Sequence, residues 1–251
     1  ARRLSSPRKR GPPINPPAPK GQEGHDPRSL AEGTDKNIPT PLDDRSILLH
    51  LSGMTRKSKS EATRQTILSA GRRLVIKGGF GAMGLSALLK ESGVPKGSFY
   101  HYFASKEAFG QAMLRDYVED YLARVDAILA GDGTGAARLR AFCTAWLDHD
   151  GTAGVVRNCL VVNLGAEVAD LSDAMRQVLD DGVRDLVARI ALMMRAGVAD
   201  GSLRLEGPAE NAARLLYAQL LGAAILTKLS RDQGALEAVL NDIETRLVTG
   251  A

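Results

Sequence analysis

The chain has 251 residues, 44% of them hydrophobic and 25% charged, with a formal net charge of +4. That length can bury one or two cores, and no apolar run reaches the roughly 18 residues of a membrane-spanning helix. Two cysteines, Cys143 and Cys159, are too few for a disulfide framework, so a reducing cytoplasm is the default compartment.

Residues 1–53 differ from the rest. They hold nine of the eleven prolines, with Arg2, Arg3, Arg8, Lys9 and Arg10 among them. Such a segment buries too little apolar surface to offset its ordering entropy. It is either a basic arm that adds non-specific DNA affinity or a segment without a role. We read it as a disordered leader, non-native or dispensable, with a natural start at Met54.

Charge is partitioned along the chain. Residues 54–103 carry nine basic and two acidic side chains, whereas residues 104–251 carry fifteen and twenty-one. A compact basic module joined to an acidic body confines nucleic-acid binding to one end.

The basic module, residues 54–104, reads as three helices. Ser58-Lys-Ser-Glu61 has the form of a capping box and predicts a helix start near Ser58. Ile67, Leu68, Gly71, Leu74 and Val75 then give a core stripe that stops at Gly78-Gly79. Leu85, Leu88 and Leu89 share one face of a short second helix. Gly93 supplies the turn after it, and Pro95 fits the first turn of a third helix. Helix, glycine turn and short helix make a helix-turn-helix. The third helix presents Lys96, Ser98, Tyr100 and His101, donors able to reach phosphates or base edges. Phe99, Tyr102 and Phe103 alternate with them as anchors. Ser105 caps a fourth helix with Lys106 in its first turn, where a cation opposes the helix dipole and so points to a DNA phosphate.

The fourth helix extends through Phe109, Met113, Tyr117, Tyr121 and Val125 to about Leu129. Gly131-Asp-Gly-Thr-Gly135 reads as an interhelical loop, since no strand precedes it and no Gly-Lys-Ser/Thr follows. A fifth helix, about Ala136–Asp148, carries Leu139, Phe142, Cys143, Trp146 and Leu147. Asp148-His149-Asp150 resembles a metal-ligand cluster but sits at a helix end and reads as a solvated turn, so no metal site is expected. A sixth, mostly apolar helix covers Cys159–Ala169. Its polar pair Asn163 and Glu167 either bonds within itself or to a neighbouring helix end, or faces a ligand cavity. Ser172 caps a seventh helix reaching about Ala199, Pro208 opens an eighth, and a ninth spans about Gly234–Val248. No strand pattern occurs, so the fold class is all-α.

Gly93-Val-Pro-Lys-Gly-Ser-Phe-Tyr-His-Tyr-Phe-Ala-Ser-Lys-Glu-Ala-Phe109, with Lys77-Gly-Gly-Phe80 upstream, resembles the signature of TetR-type bacterial repressors. The resemblance is dense from Glu61 to Phe109. It implies that Tyr100, His101 and Lys106 contact the DNA backbone, and that the last two helices of two chains form a four-helix dimer interface. Met83-Gly84 departs from it, because the family has a Thr before the second helix, and losing such a cap costs about 1 kcal/mol. Arg157-Asn-Cys-Leu-Val-Val-Asn-Leu-Gly-Ala-Glu-Val-Ala-Asp170 resembles a branch of the family that responds to electrophilic, α,β-unsaturated compounds, acrylate-type metabolites included.

Cys159 has two readings. It opens a helix two residues after Arg157, where the N-terminal dipole lowers a thiol pKa and suits an electrophile sensor. It is otherwise a buried, inert packing residue, as Cys143 is taken to be. The expectation is a non-enzymatic, ligand-responsive repressor without a cofactor. Residues 54–104 would bind double-stranded operator DNA, and residues 105–251 would bind an inducer and dimerise. Tyr121, Trp146, Cys159, Asn163 and Glu167 are the candidate effector contacts. The alternatives are a nucleoid-type DNA-binding protein without an effector, or an enzyme fused to a helix-turn-helix. No membrane is expected as a partner.

Overall fold

Helical periodicity becomes ten α-helices in the computed structural model, which describes residues 44–147 and 155–249, with side chains from Lys59 onward. Helix α1 (Asp44–Gly78) runs through Ser58. The capping box therefore does not start it, because the residues upstream continue the same helix. It ends at Gly79, whose φ of 82° lies in the left-handed region that glycine tolerates. Helix α2 (Leu85–Ser92) begins at Gly84 without a side-chain cap, as the Met83-Gly84 departure predicts. Gly93, at φ 67°, turns the chain into α3 (Lys96–Tyr102), with Pro95 at its N-cap.

Helix α4 (Lys106–Ala130) is capped by Ser105 Oγ, which accepts from the Ala108 N–H at 3.0 Å. Helix α5 (Gly135–Thr144) stops short of the expected Asp148, because the backbone tightens there: Trp146 N–H donates to Cys143 O and Leu147 N–H to Thr144 O. Asp148, His149 and Asp150 lie outside the described residues. A four-residue helix α6 (Val155–Asn158) precedes α7 (Leu160–Leu171), so the sixth helix read from sequence is the seventh observed. Ser172 caps α8 (Asp173–Ala199), accepting from the Met175 N–H at 3.3 Å. Helices α9 (Ala209–Ser230) and α10 (Gly234–Arg246) follow. Among the described residues no strand forms; Leu203 and Val248 make one isolated antiparallel bridge.

Two apolar cores result. The first joins Ile67, Leu68, Leu88, Phe99, Phe103 and Phe109 to Leu160, Leu164 and Val168 of α7 and to Met175 and Leu179 of α8. The helix-turn-helix head is thus packed directly on α7 rather than tethered to it. The second core gathers Phe142, Cys143, Trp146 and Cys159 with Leu186, Ile190, Tyr217, Leu220 and Leu236.

Helix α9 is, by length and composition, apolar enough to cross a bilayer. Its apolarity has two directions. Ala213, Leu216, Tyr217, Leu220 and Ala224 pack into the second core, while Leu215, Ile225, Leu226 and Leu229 stay exposed. A helix apolar on two faces between a core and solvent needs a second partner.

Candidate nucleic-acid interface and effector site

Helix α3 divides its side chains as the sequence predicts. Phe99 is 1% exposed and packs against Phe103 and Phe109, with ring centroids 5.4 and 5.8 Å away. Lys96, Tyr100 and His101 are exposed and Ser98 half-buried, so all four candidate readers lie on accessible surface. Tyr100 leaves half of its surface free.

Lys106 is placed differently. Its Nζ donates to Gly81 O at 3.1 Å and sits 5.0 Å from the Phe80 ring centroid. The ammonium that opposes the α4 dipole is thus balanced inside the chain by a carbonyl and a π-face. The dipole argument therefore does not by itself require a phosphate there.

The same loop, Gly79–Gly84, is held from the other side by Glu167. One carboxylate oxygen accepts from the Gly81 N–H at 2.7 Å and the other from the Phe80 N–H at 3.0 Å. A side chain on Gly79 would put its Cβ 2.8 Å from this carboxylate. Of the two readings left open for Glu167, the structure takes the bond to a neighbouring helix end. Both of its carboxylate oxygens are thus engaged by the head loop. A second tie lies nearby, where Ser172 Oγ donates to Glu107 at 2.5 Å.

Asn163 likewise binds neighbours rather than Glu167. Its Nδ2 donates to Cys159 O at 2.7 Å and Arg157 O at 3.2 Å, and its Oδ1 accepts from Lys228 Nζ. Asn163 thereby fastens the start of α7 to the end of α9.

Cys159 is the N-cap residue of α7 and is 3% exposed. Burial pushes its thiol pKa up. The Val162 and Val161 amides, the Tyr117 hydroxyl and the Lys228 charge pull it part of the way back. The helix-start effect read from the sequence is present, but desolvation outweighs it. Cys143 has no such counterweight and is pushed up to about 12 by burial.

Around Cys159 stand Tyr117, Tyr121 and Tyr217, whose phenol pKa values are all raised, chiefly by burial. The rings of Tyr117 and Tyr121 stack with centroids 6.1 Å apart, and Trp146 meets Tyr217 edge-on at the same distance. Trp146 Nε1 is buried without a hydrogen-bond partner, approaching the Tyr121 hydroxyl without closing a bond to it. The cavity bounded by Tyr117, Tyr121, Cys159, Leu179, Val183 and Tyr217 measures about 20 Å³. That is room for about one water. Tyr121 and Cys159 line this one cavity, and Trp146 stands beside its Tyr217. Sequence reasoning missed Tyr217 and Lys228, because each reaches the site from α9 across the fold. Tyr117, one turn before Tyr121 on the same helix face, could have been named from its spacing. Among the described residues no group of three His, Cys, Asp or Glu side chains is placed to hold a metal ion.

Residues 67–113 match the family described as bacterial regulatory proteins, tetR family, and residues 135–243 match the tetracyclin repressor-like C-terminal domain. The HTH-type transcriptional repressor NemR of Escherichia coli K12 is 39% identical over 196 residues, which cover 78% of this chain and 98% of NemR. The transcriptional regulator AcuR of Cereibacter sphaeroides is 32% identical over 187 residues, 74% of this chain and 85% of AcuR. The crystal structure of E. coli NemR in its reduced form superposes with a TM-score of 0.70 at 40% identity, covering 75% of this chain and 99% of that one.

Proposed function

Because the chain belongs to the TetR family of bacterial regulatory proteins, we propose that it is a dimeric repressor of a palindromic operator, released when an electrophile reacts at Cys159. Each α3 would enter a major groove, with Tyr100, His101 and Lys106 on phosphates and Lys96 and Ser98 toward base edges. The exposed stripe of Leu215, Leu226 and Leu229 on α9, 67%, 57% and 77% accessible, supplies the surface for the second copy. Gly222, with open space above it, lets a partner helix approach closely. The site of action would be the cytoplasm, where both operator and free thiols are found.

The reaction is a conjugate addition. The Cys159 sulfur bonds to the β-carbon of an α,β-unsaturated carbonyl compound, the C=C pair moves to the α-carbon, and the thiol proton ends there. One observation carries the link from this event to DNA: Cys159 stands at the N-cap position of α7, and Glu167, eight residues along the same helix, holds the head loop. The two lie about 12 Å apart along the axis. A cavity of about 20 Å³ cannot take the added carbonyl-bearing alkyl group, so the first turn of α7 must move. A packed helix moves as a unit, which displaces Glu167 from Phe80 and Gly81.

Operator release measured by fluorescence anisotropy tests the proposal. Cys159→Ser should keep operator affinity and lose release by N-ethylmaleimide, while Cys143→Ser should keep both. A Cys159→Ser protein released as readily as wild type would make Cys159 a packing residue.

A further inference from the structure

A larger cavity, about 580 Å³, opens beside Trp146 between α6 and the turn joining α9 to α10. Its floor is apolar and buried: Trp146, Val156 and Leu236. Its rim is cationic, with Arg157, Lys228 and Arg231 all exposed. The single carboxylate among the described lining residues, Asp232, is committed to its own turn, accepting from the Gly234 N–H at 2.9 Å. Among the described residues, neither Arg157 nor Arg231 forms an ion pair or a side-chain hydrogen bond.

Two further features point to a ligand. Thr227 lines the cavity, and its Oγ1 is buried without a hydrogen-bond partner. Thr66 and Thr245 show the usual alternative, returning their hydroxyls to the carbonyl four residues back. Arg231 is, among the described residues, the sole side-chain-bearing residue at positive φ, 60°, where a helix end ordinarily places glycine. The backbone thus holds an arginine in an unfavourable conformation at the cavity mouth.

We propose that this cavity is a non-covalent site for a small organic anion, a carboxylate carrying a short aliphatic tail. The carboxylate would lie between the Arg157 and Arg231 guanidinium groups, which match its geometry, with the Thr227 hydroxyl as a further donor. The tail would cover Trp146, Val156 and Leu236. Lys228 connects the site to the regulatory helix, since it now donates to Asn163, which in turn holds Cys159 O and Arg157 O. A carboxylate competing for Lys228 loosens that fastening and acts on the start of α7 without any reaction at the thiol. The site is independent of the electrophile chemistry proposed for Cys159.

The test uses the full chain and straight-chain carboxylates from propionate to octanoate, each against its neutral amide, at constant ionic strength. A ligand binding only the native state raises the melting temperature with concentration. At least one carboxylate should do so while its amide does not. The Arg157→Ala/Arg231→Ala double variant should weaken that binding by about tenfold or more in calorimetry, and its unliganded melting curve checks that it folds. Cys159→Ser should bind the carboxylate like wild type, which separates this site from the thiol. No shift across the series, an equal shift from the amide, wild-type affinity in the double variant, or loss of binding in Cys159→Ser would each overturn the assignment.

Discussion

Glu167 is where the proposed signal passes from body to head, and its removal has a calculable cost. Glu167→Ala deletes two charge-assisted hydrogen bonds to backbone amides, at 2.7 and 3.0 Å. Such bonds contribute about 1.5–3 kcal/mol each when both partners are dry. Here Gly81 is exposed and its N–H can turn to water, while Phe80 is buried and keeps part of the penalty. A net loss of about 1.5–2 kcal/mol follows, equivalent to roughly 3–8 °C in melting temperature for a protein of this size. The regulatory consequence is sharper than the stability loss. Allosteric coupling energies run to about 1–3 kcal/mol, or 5- to 150-fold in affinity. With the tie cut, a shift of α7 reaches the loop only through the non-directional packing of the shared apolar core. The ratio of operator affinities before and after N-ethylmaleimide should then fall below about fivefold, whatever value wild type shows above that. Titrating labelled operator with alkylated and unalkylated protein gives both affinities by anisotropy. Mass spectrometry on the same samples confirms that Cys159 is alkylated equally in both proteins. If Glu167→Ala keeps the full wild-type ratio, the signal travels by another route and the helix argument is wrong.

Three further outcomes follow from the structure. Lys106→Ala should flatten the dependence of log K on log salt by about one unit if its ammonium leaves Gly81 O for a phosphate; an unchanged slope in a salt titration means that the lysine stays on the loop. Since burial raises the Cys159 pKa, the thiolate is the minor form at neutral pH, and its share grows about tenfold per pH unit until the raised pKa is reached. The second-order rate of Cys159 alkylation in a Cys143→Ser background should therefore still be climbing at pH 9, and a plateau by pH 8 would contradict the burial effect. Leu226→Glu, at a position already exposed in one chain, should leave the melting curve of the monomer intact but shift sedimentation from dimer to monomer and lower operator affinity at least tenfold.

The features legible in the sequence are those decided by residues a few positions apart. Ser105 and Ser172 cap helices because an Oγ at the N-cap reaches the amide three residues on, whatever the rest of the chain does. Gly79 and Gly93 end helices because the turns there need positive φ. The alternation of Phe99 and Phe103 with Tyr100 and His101 divides α3 into a buried and an accessible side in any packing that covers one face. Even so, the capping box at Ser58 misled, because a local start signal cannot exclude a helix that continues from upstream. Only the tertiary structure decided where the polar groups of α7 go. Glu167 meets Phe80 and Gly81 from 87 and 86 residues away, and Asn163 meets Lys228 from 65. Spacing along one helix shows that such a pair needs partners but not which ones. The same holds for Cys159. Its place at a helix start argued for a lowered pKa. Tyr117, Tyr121 and Tyr217 close over it from two other helices and remove its water, and the desolvation of a thiolate is larger than the pull of a helix terminus.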